Sequence, residues 1–487
     1  MVATFYKNHY KAIYAVIFGL LAVWHLWSLP ISPLAWYDEA VFADITHSII
    51  SGKGFLLDME GGYQEYVYGP VYFGLTALST YIAGFDIFQF RINMIFSVLT
   101  LVVFYKMCRK LELTEPVVLF LVLLFSLDTL FVQNAHSGRM EFVALFFAIF
   151  AYYVYMWERN DGYTLSRVLC FAVMVTLSVL TTPRVAIVLL PVCLLQFVDL
   201  LKKNKILFCT YYVLIPILSF LLWVYLSYGS IEALIDYYTH PLVSSDGAPI
   251  TAYLGGNLLI YTYQYPLLLL VLFVVAISVF QNTFAKYVLY LSVIVLFYLA
   301  VADSGFYCTF LLPFFYFVVA MGWKDFVNSH HVGKWAFTFK SLVILCVLTN
   351  VGIFTMKAVT VATTSGERNI QPVHEWIARS VPQGSKLTGS DSYIYSILKN
   401  DCRFRRAMNL NSEVNQMSDE YTPDYLILLD NEQDPHVLDY IRDYDVEEVS
   451  KYTAIRTESK LISKIQALTN VRFGSAYDGV LYKIKKN

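Results

Sequence analysis

Charge is scarce in this chain. Of its 487 residues only 15% are Asp, Glu, Lys or Arg, against about 25% in an ordinary soluble domain. Hydrophobic residues make up 57% and aromatics 17%, more apolar surface than a soluble fold can hide, so the chain is an integral membrane protein. A formal net charge of −2 gives no basis for a polyanionic partner, and no nucleic acid is expected. Cys108, Cys170, Cys193, Cys209, Cys308, Cys346 and Cys402 are scattered without Cys-x-x-Cys or Cys/His ligand spacing, which leaves no disulfide framework or zinc site to read. No Gly-rich phosphate loop is present, and no Asp-x-Asp motif faces the cytoplasmic side, so no nucleotide site is expected. The chain also lacks an Asn-x-Ser/Thr sequon, which favours a bacterial inner (plasma) membrane over the endoplasmic reticulum.

What the chain has in place of charge is long apolar runs. A bilayer-crossing helix needs about 20 apolar residues. Runs of that kind lie near 11–29, 91–107, 116–132, 141–157, 167–182, 184–201, 206–228, 258–280, 285–301, 306–323 and 335–356, which predicts about eleven spans. The first run follows Lys7 and Lys11 and continues without a cleavage pattern, so it reads as an uncleaved span. Lys7, Lys11, Lys106, Arg109, Lys110, Arg159, Arg167, Lys202, Lys203, Lys205, Lys286, Lys324 and Lys334 then share one side, the cytoplasmic one by the positive-inside rule. Counting the short apolar stretch 70–83 as a span would put Lys106, Arg109, Lys110 and Lys202, Lys203, Lys205 outside; it is expected instead as an interfacial helix in the outer loop 30–90.

Two domains follow: a membrane domain over 1–357, and a soluble extracytoplasmic α/β domain over 358–487. In the second, helical stretches Val373–Ser380, Tyr393–Lys399 and His436–Asp443 alternate with strands at Lys386–Thr388, Asp424–Leu429 and Gly479–Ile484. No catalytic motif occurs there.

The chemistry-bearing residues gather on the outer side. Trp36-Tyr37-Asp38-Glu39 opens the first outer loop at the head of a helix over 38–52. One acid suffices to cap a helix; the second is left to act as a general base, metal ligand or orienter of a sugar hydroxyl. His136-Ser137-Gly138-Arg139-Met140-Glu141 crowds a histidine, an arginine and an acid into a short loop, where Arg139 suits a phosphate oxygen. Arg184, behind Thr181-Thr182-Pro183, heads the next helix on the outer face and is a second phosphate-binding candidate. The outer loop 229–257 adds Tyr237, Tyr238 and His240, and a turn at Asp303-Ser304-Gly305 is followed by Tyr307.

In order and topology, Trp36-Tyr37-Asp38-Glu39, Tyr68-Gly69-Pro70-Val71-Tyr72, Phe90-Arg91 and Ser137-Gly138-Arg139-Met140-Glu141 resemble the polyprenyl-phosphate-sugar-dependent glycosyltransferases of the GT-C fold, the superfamily of protein O-mannosyltransferases and the lipid A aminoarabinose transferase. The resemblance runs over roughly residues 10–325 in the order of elements. It implies a catalytic acid at Asp38 or Glu39, with Asp38 preferred, a second acid at Glu141, donor phosphate held by Arg139 and Arg184, and accessory roles for His136 and Tyr68. Tyr68-Gly69-Pro70 stands where the family often has His-Pro-Pro or Lys-Pro-Pro, so the basic donor of that place is missing.

The implied partners are a polyprenyl-phosphate-linked sugar donor, a lipid or glycan acceptor and membrane lipids. No cofactor is certain. Carboxylates alone suit Mg²⁺ or Mn²⁺, so a divalent cation among Asp38, Glu39 and Glu141 is an open alternative. The competing readings are a polytopic transporter or flippase, a surface-polysaccharide polymerase or ligase, and an assembly protein that recruits partners through its tail.

Overall fold

The computed structural model describes residues 2–35, 37–61, 63–64, 69–228, 230–232, 235, 265–277, 309–328, 334–406, 421–430, 445–454, 460, 464 and 477–485. The expected span at 285–301, Tyr237, Tyr238 and His240 of the 229–257 loop, the 303–307 turn, and the helix at His436–Asp443 lie outside this set.

The membrane part is built from α1 (Val2–Ser28), α5 (Asn93–Lys110), α6 (Glu115–Ser126), α7 (Thr129–Ala135), α8 (Glu141–Asp161), α9 (Leu165–Val179), α10 (Ala186–Lys202), α11 (Ile206–Tyr228), α12 (Tyr265–Ile277), α13 (Leu312–Asn328) and α14 (Lys334–Thr363). Between α1 and α5 the chain forms α2 (Tyr37–Ile50), α3 (Pro70–Ala83) and the short α4 (Ile87–Phe90). Among the described residues five helices are long and apolar enough to cross a membrane. The pair α6 and α7, bent by 64°, adds a sixth when the two are counted as one broken span. The straight span expected at 116–132 is therefore broken, and Asp128 is the cause. Its side chain accepts from Leu130 N at 2.9 Å, an N-cap that starts a new helix inside an apolar run.

Basic residues mark one end of the bundle. Lys11 on α1 pairs with Glu115 at the head of α6 at 3.3 Å, and Lys324 on α13 pairs with Glu112 at 3.1 Å. The stretch 70–83 is a helix, as expected, begun by Pro70 at a position where its missing N–H costs nothing. It buries Tyr72, Phe73 and Thr76 and leaves Leu78, Tyr81 and Ile82 exposed.

The tail continues directly from α14, which runs through 357 to Thr363. A 3-10 turn, Ser365–Arg368, leads to α15 (Gln371–Ser380), and α16 (Ile394–Lys399) follows. The strands β3 (Lys386–Gly389), β4 (Arg403–Phe404), β5 (Tyr425–Leu429), β6 (Val446–Tyr452) and β7 (Gly479–Ile484) form one sheet in the order β4-β3-β5-β7-β6. β3 pairs in parallel with β4 and β5, whereas β7 is antiparallel to β5 and β6. A two-stranded hairpin of β1 (Leu56–Leu57) and β2 (Tyr63–Gln64) belongs to the loop between α1 and α5.

Tail and first loop share one apolar core: Phe42, Ile45, Tyr72 and Phe90 pack in the same cluster as Ile377, Tyr395, Phe404 and Ile427. Polar contacts reinforce the joint. Asp58 takes both Nε and Nη2 of Arg403 at 2.6 Å, and Lys399 Nζ meets Asp86 at 2.5 Å. Ser392 Oγ donates to the Ala35 carbonyl at 2.9 Å.

Candidate active site

The site begins with the phase of a helix. Asp38 and Glu39 occupy the first turn of α2, and neighbours on a helix point roughly 100° apart. Glu39 turns inward and Asp38 turns out.

Glu39 has no exposed surface. Arg91 grips it bidentately, Nε at 2.7 Å from Oε1 and Nη2 at 3.0 Å from Oε2. The Tyr395 hydroxyl, from the tail, donates to Oε1 at 2.9 Å. Arg91 spends its remaining donors on Leu29 O at 2.6 Å and Pro33 O at 2.8 Å, so one buried guanidinium ties the end of α1, the first loop and the head of α5 together. A buried charge of this kind is tolerated because its partners are complete.

The side chain of Asp38 is 27% exposed. It pairs with Nη1 of Arg139, whose Nε and Nη2 bond Glu141 Oε1 at 2.9 and 2.5 Å. Glu141 is buried, and its second oxygen has no hydrogen-bond partner. The loop carrying Arg139 lies tight against the Glu39 side: a Cβ at Gly138 would run into the Phe90 ring and the Glu39 side chain. Only glycine allows that approach.

His136 is fully buried and meets His25 of α1 at 2.7 Å, Nε2 to Nδ1, while its Nδ1 lies 3.2 Å from Ser32 O. Burial first, then the neighbouring His25 and Arg91, holds the imidazole well below its ordinary pKa. His136 thus links α1 to the site loop and stacks on Trp24 of α1, their ring centroids 5.4 Å apart.

Arg184 stands half-buried on the 3-10 turn Pro183–Val185 and forms no ion pair with Asp38, Glu39 or Glu141. Just before that turn, the Leu180 carbonyl accepts from Val71 N at 3.2 Å, and Gly69 has no room for a Cβ against Leu180. The corner therefore abuts the Gly69-Pro70 piece. Tyr68 and Trp36 lie outside the described residues, as does the side chain of Tyr37.

A cation shared by Asp38, Glu39 and Glu141 does not match this arrangement. The guanidinium of Arg139 occupies the place between Asp38 and Glu141, and Glu39 is turned away to Arg91. Among the described residues no group of three or more His, Cys, Asp or Glu is placed to hold an ion.

Sequence reasoning missed Tyr395 and His25 as site residues and treated Arg91 only as a helix entry. Arg91 had a readable signal, an arginine at the head of an apolar run. Tyr395, one of 38 tyrosines, had none.

No family model and no curated protein sequence matches this chain. Solved structures do. The crystal structure of ArnT from Cupriavidus metallidurans in the apo state superposes with a TM-score of 0.58 over 97% of this chain and 98% of that one, at 10% identity. The same protein bound to undecaprenyl phosphate gives 0.57 over 97% of each chain, at 11% identity. This chain has the ArnT fold. At such low identity the likeness concerns architecture, and it matches the GT-C-like polytopic fold with a C-terminal α/β domain expected from the sequence.

Proposed function

We propose that this protein is a membrane glycosyltransferase that moves a sugar from a polyprenyl-phosphate carrier to a lipid or glycan acceptor at the outer face of a bacterial inner membrane. The observation that carries the reading is the split between two adjacent acids: Glu39 is sealed and neutralised, while Asp38 reaches the surface on a guanidinium-anchored side chain. ArnT, whose fold this chain shares, was solved bound to undecaprenyl phosphate, which supports a polyprenyl-phosphate donor.

In this mechanism the Asp38 carboxylate takes the proton of an acceptor hydroxyl as its oxygen attacks the anomeric carbon. The bond from that carbon to the phosphate oxygen breaks, and polyprenyl phosphate leaves with the electron pair, so a single displacement inverts the centre. Arg139, its fork divided between Asp38 and Glu141, positions the acid. Arg184, half-exposed at the neighbouring corner, is the phosphate-binding cation of the two. Glu39 is a positioning residue that acts through Arg91. The N-terminus lies in the cytoplasm and the tail outside, in keeping with the basic end of the bundle; the division into a membrane part and a tail falls at the end of α14.

The transporter reading draws on Asp128, buried at the break between α6 and α7, since broken helices with intramembrane charge suit that class. Asp128 is already occupied as a cap and as acceptor of the Tyr316 hydroxyl at 2.9 Å, which favours a structural role.

The test is mass spectrometry of lipids and surface glycans from deletion cells complemented with wild type or Asp38→Asn. Accumulation of one polyprenyl-phosphate sugar with loss of one glycan residue, uncorrected by Asp38→Asn, is expected. Unchanged lipids and glycans would remove the transferase reading.

A further inference from the structure

The arginines around the site differ in how fully they are used. Arg91 has its Nε, Nη1 and Nη2 bonded, and Arg139 is committed to two acids. Arg368 is not. It closes the 3-10 turn beyond α14, is 1% exposed, and donates only through Nε, to Thr364 Oγ1 at 2.8 Å. Both terminal nitrogens are buried without a hydrogen-bond partner.

Arg368 also stands in company. Thr360, Val361 and Thr364 are all buried, so with Arg368 they form one inward face at helical spacing, and the Thr360 hydroxyl is another buried group without a hydrogen bond. From the tail, Tyr477 N donates to Glu367 O at 3.1 Å, which sets Tyr477 beside the arginine turn. The Tyr477 hydroxyl is buried and unbonded too, although its backbone is fixed where Tyr393 Oη donates to Tyr477 O and Asp478 O at 3.1 Å. A buried guanidinium with idle donors is costly unless an anion completes it. Two N–H groups in a planar fork match a phosphate, and Tyr477 stands on the segment hydrogen-bonded to that turn. The turn lies just past Thr363, where the last span ends, the depth at which a bilayer carries its phosphates.

We propose that Arg368 and Tyr477 form a phosphate-binding site for a lipid-borne phosphate at the outer end of the last span, which under the transferase reading is that of the polyprenyl carrier. The site brings the tail into carrier binding as a station of its own, distinct from the Arg184 corner at which the donor phosphate is proposed to react.

The experiment measures binding and thermal unfolding of the full chain in detergent, with undecaprenyl phosphate, phosphatidylglycerol or inorganic phosphate as probe. Undecaprenyl phosphate is expected to raise the wild-type Tm. Arg368→Met is expected to bind it about ten- to hundred-fold more weakly while unfolding, without ligand, at the same or a higher temperature than wild type, because an uncompensated buried charge has gone. Arg368→Lys restores part of the binding, and Tyr477→Phe weakens it less than Arg368→Met. A lowered Tm of ligand-free Arg368→Met with unaltered affinity would make Arg368 a structural residue and overturn the proposal. Inorganic phosphate or phosphatidylglycerol protecting as well as undecaprenyl phosphate would overturn the assignment to a polyprenyl carrier. If undecaprenyl phosphate fails to bind wild type, the donor class itself falls; if it binds wild type and Arg368→Met alike, only this site falls.

Discussion

Two carboxylates adjacent in sequence live in opposite surroundings. Around Glu39 every donor has an acceptor, the exposure is nil, and three segments of the chain converge on one ion pair. Around Asp38 one guanidinium steadies an acid that still meets solvent. Under the proposed transferase reading, the contrast separates stability from chemistry within a single helical turn: the buried acid holds the frame through Arg91, and its neighbour, steadied by Arg139, is left to react. Substitutions should therefore divide into those that abolish transfer and those that loosen the protein.

The sharpest break is Asp38→Asn, for which transfer by purified enzyme should fall by about 10²–10⁴-fold with an unchanged Tm. Next comes Glu39→Gln, which leaves Arg91 buried and uncompensated and should cost about 3–5 kcal/mol of stability, read as a drop in Tm; the double variant Glu39→Gln with Arg91→Met should recover much of it. Gly138→Ala forces the site loop away from Phe90 and Glu39, an overpacking cost of about 1–3 kcal/mol, and should lower both Tm and transfer.

A subtler probe is pH. Burial pushes the Asp44 carboxyl up to about 8, against the opposing hydrogen bond from Met59 N at 3.0 Å. Because the folded group binds its proton more tightly than the unfolded one, whose pKa is about 3.9, the stability it contributes is complete below that value and drains away as pH rises towards 8. Asp58 has the opposite sign. Burial raises its pKa, but Arg403 and Arg405 outweigh that and hold it low, so its contribution is present above the ordinary carboxylate value and fades in acid. Thermal unfolding from pH 5 to 9 should show stability falling with pH, and Asp44→Asn should flatten that fall. Tyr395→Phe should act on stability alone, by about 1.5–3 kcal/mol for a hydrogen bond to a charged group, seen as a Tm decrease with transfer largely kept.

The elements that carry the candidate site were partly legible in the sequence. The runs of apolar residues announce helices, and Arg139 beside Glu141 is a local pair whose geometry two intervening bonds of chain nearly dictate. The role of Glu39 was not legible, because it depends on Arg91 and on Tyr395 in the tail, and sequence separation hides both. The break at Asp128 was missed because hydropathy averages over an acid that local capping makes decisive; Ser126-Leu127-Asp128-Thr129 carries the cap signal. β6 was missed for a related reason. Among the described residues Val446-Glu447-Glu448-Val449-Ser450-Lys451-Tyr452 pairs only with β7, at the sheet's edge, where charged residues are at home and the apolar alternation is weak.

The central claim is that Asp38, and not Glu39, is the reacting acid. Its most direct test compares purified wild type and Asp38→Asn at equal folded amounts, with a polyprenyl-phosphate sugar as donor and the acceptor fraction identified from deletion cells. Transfer lost in Asp38→Asn at an unchanged Tm is the expected result. Transfer at the wild-type rate by a folded Asp38→Asn enzyme would contradict it.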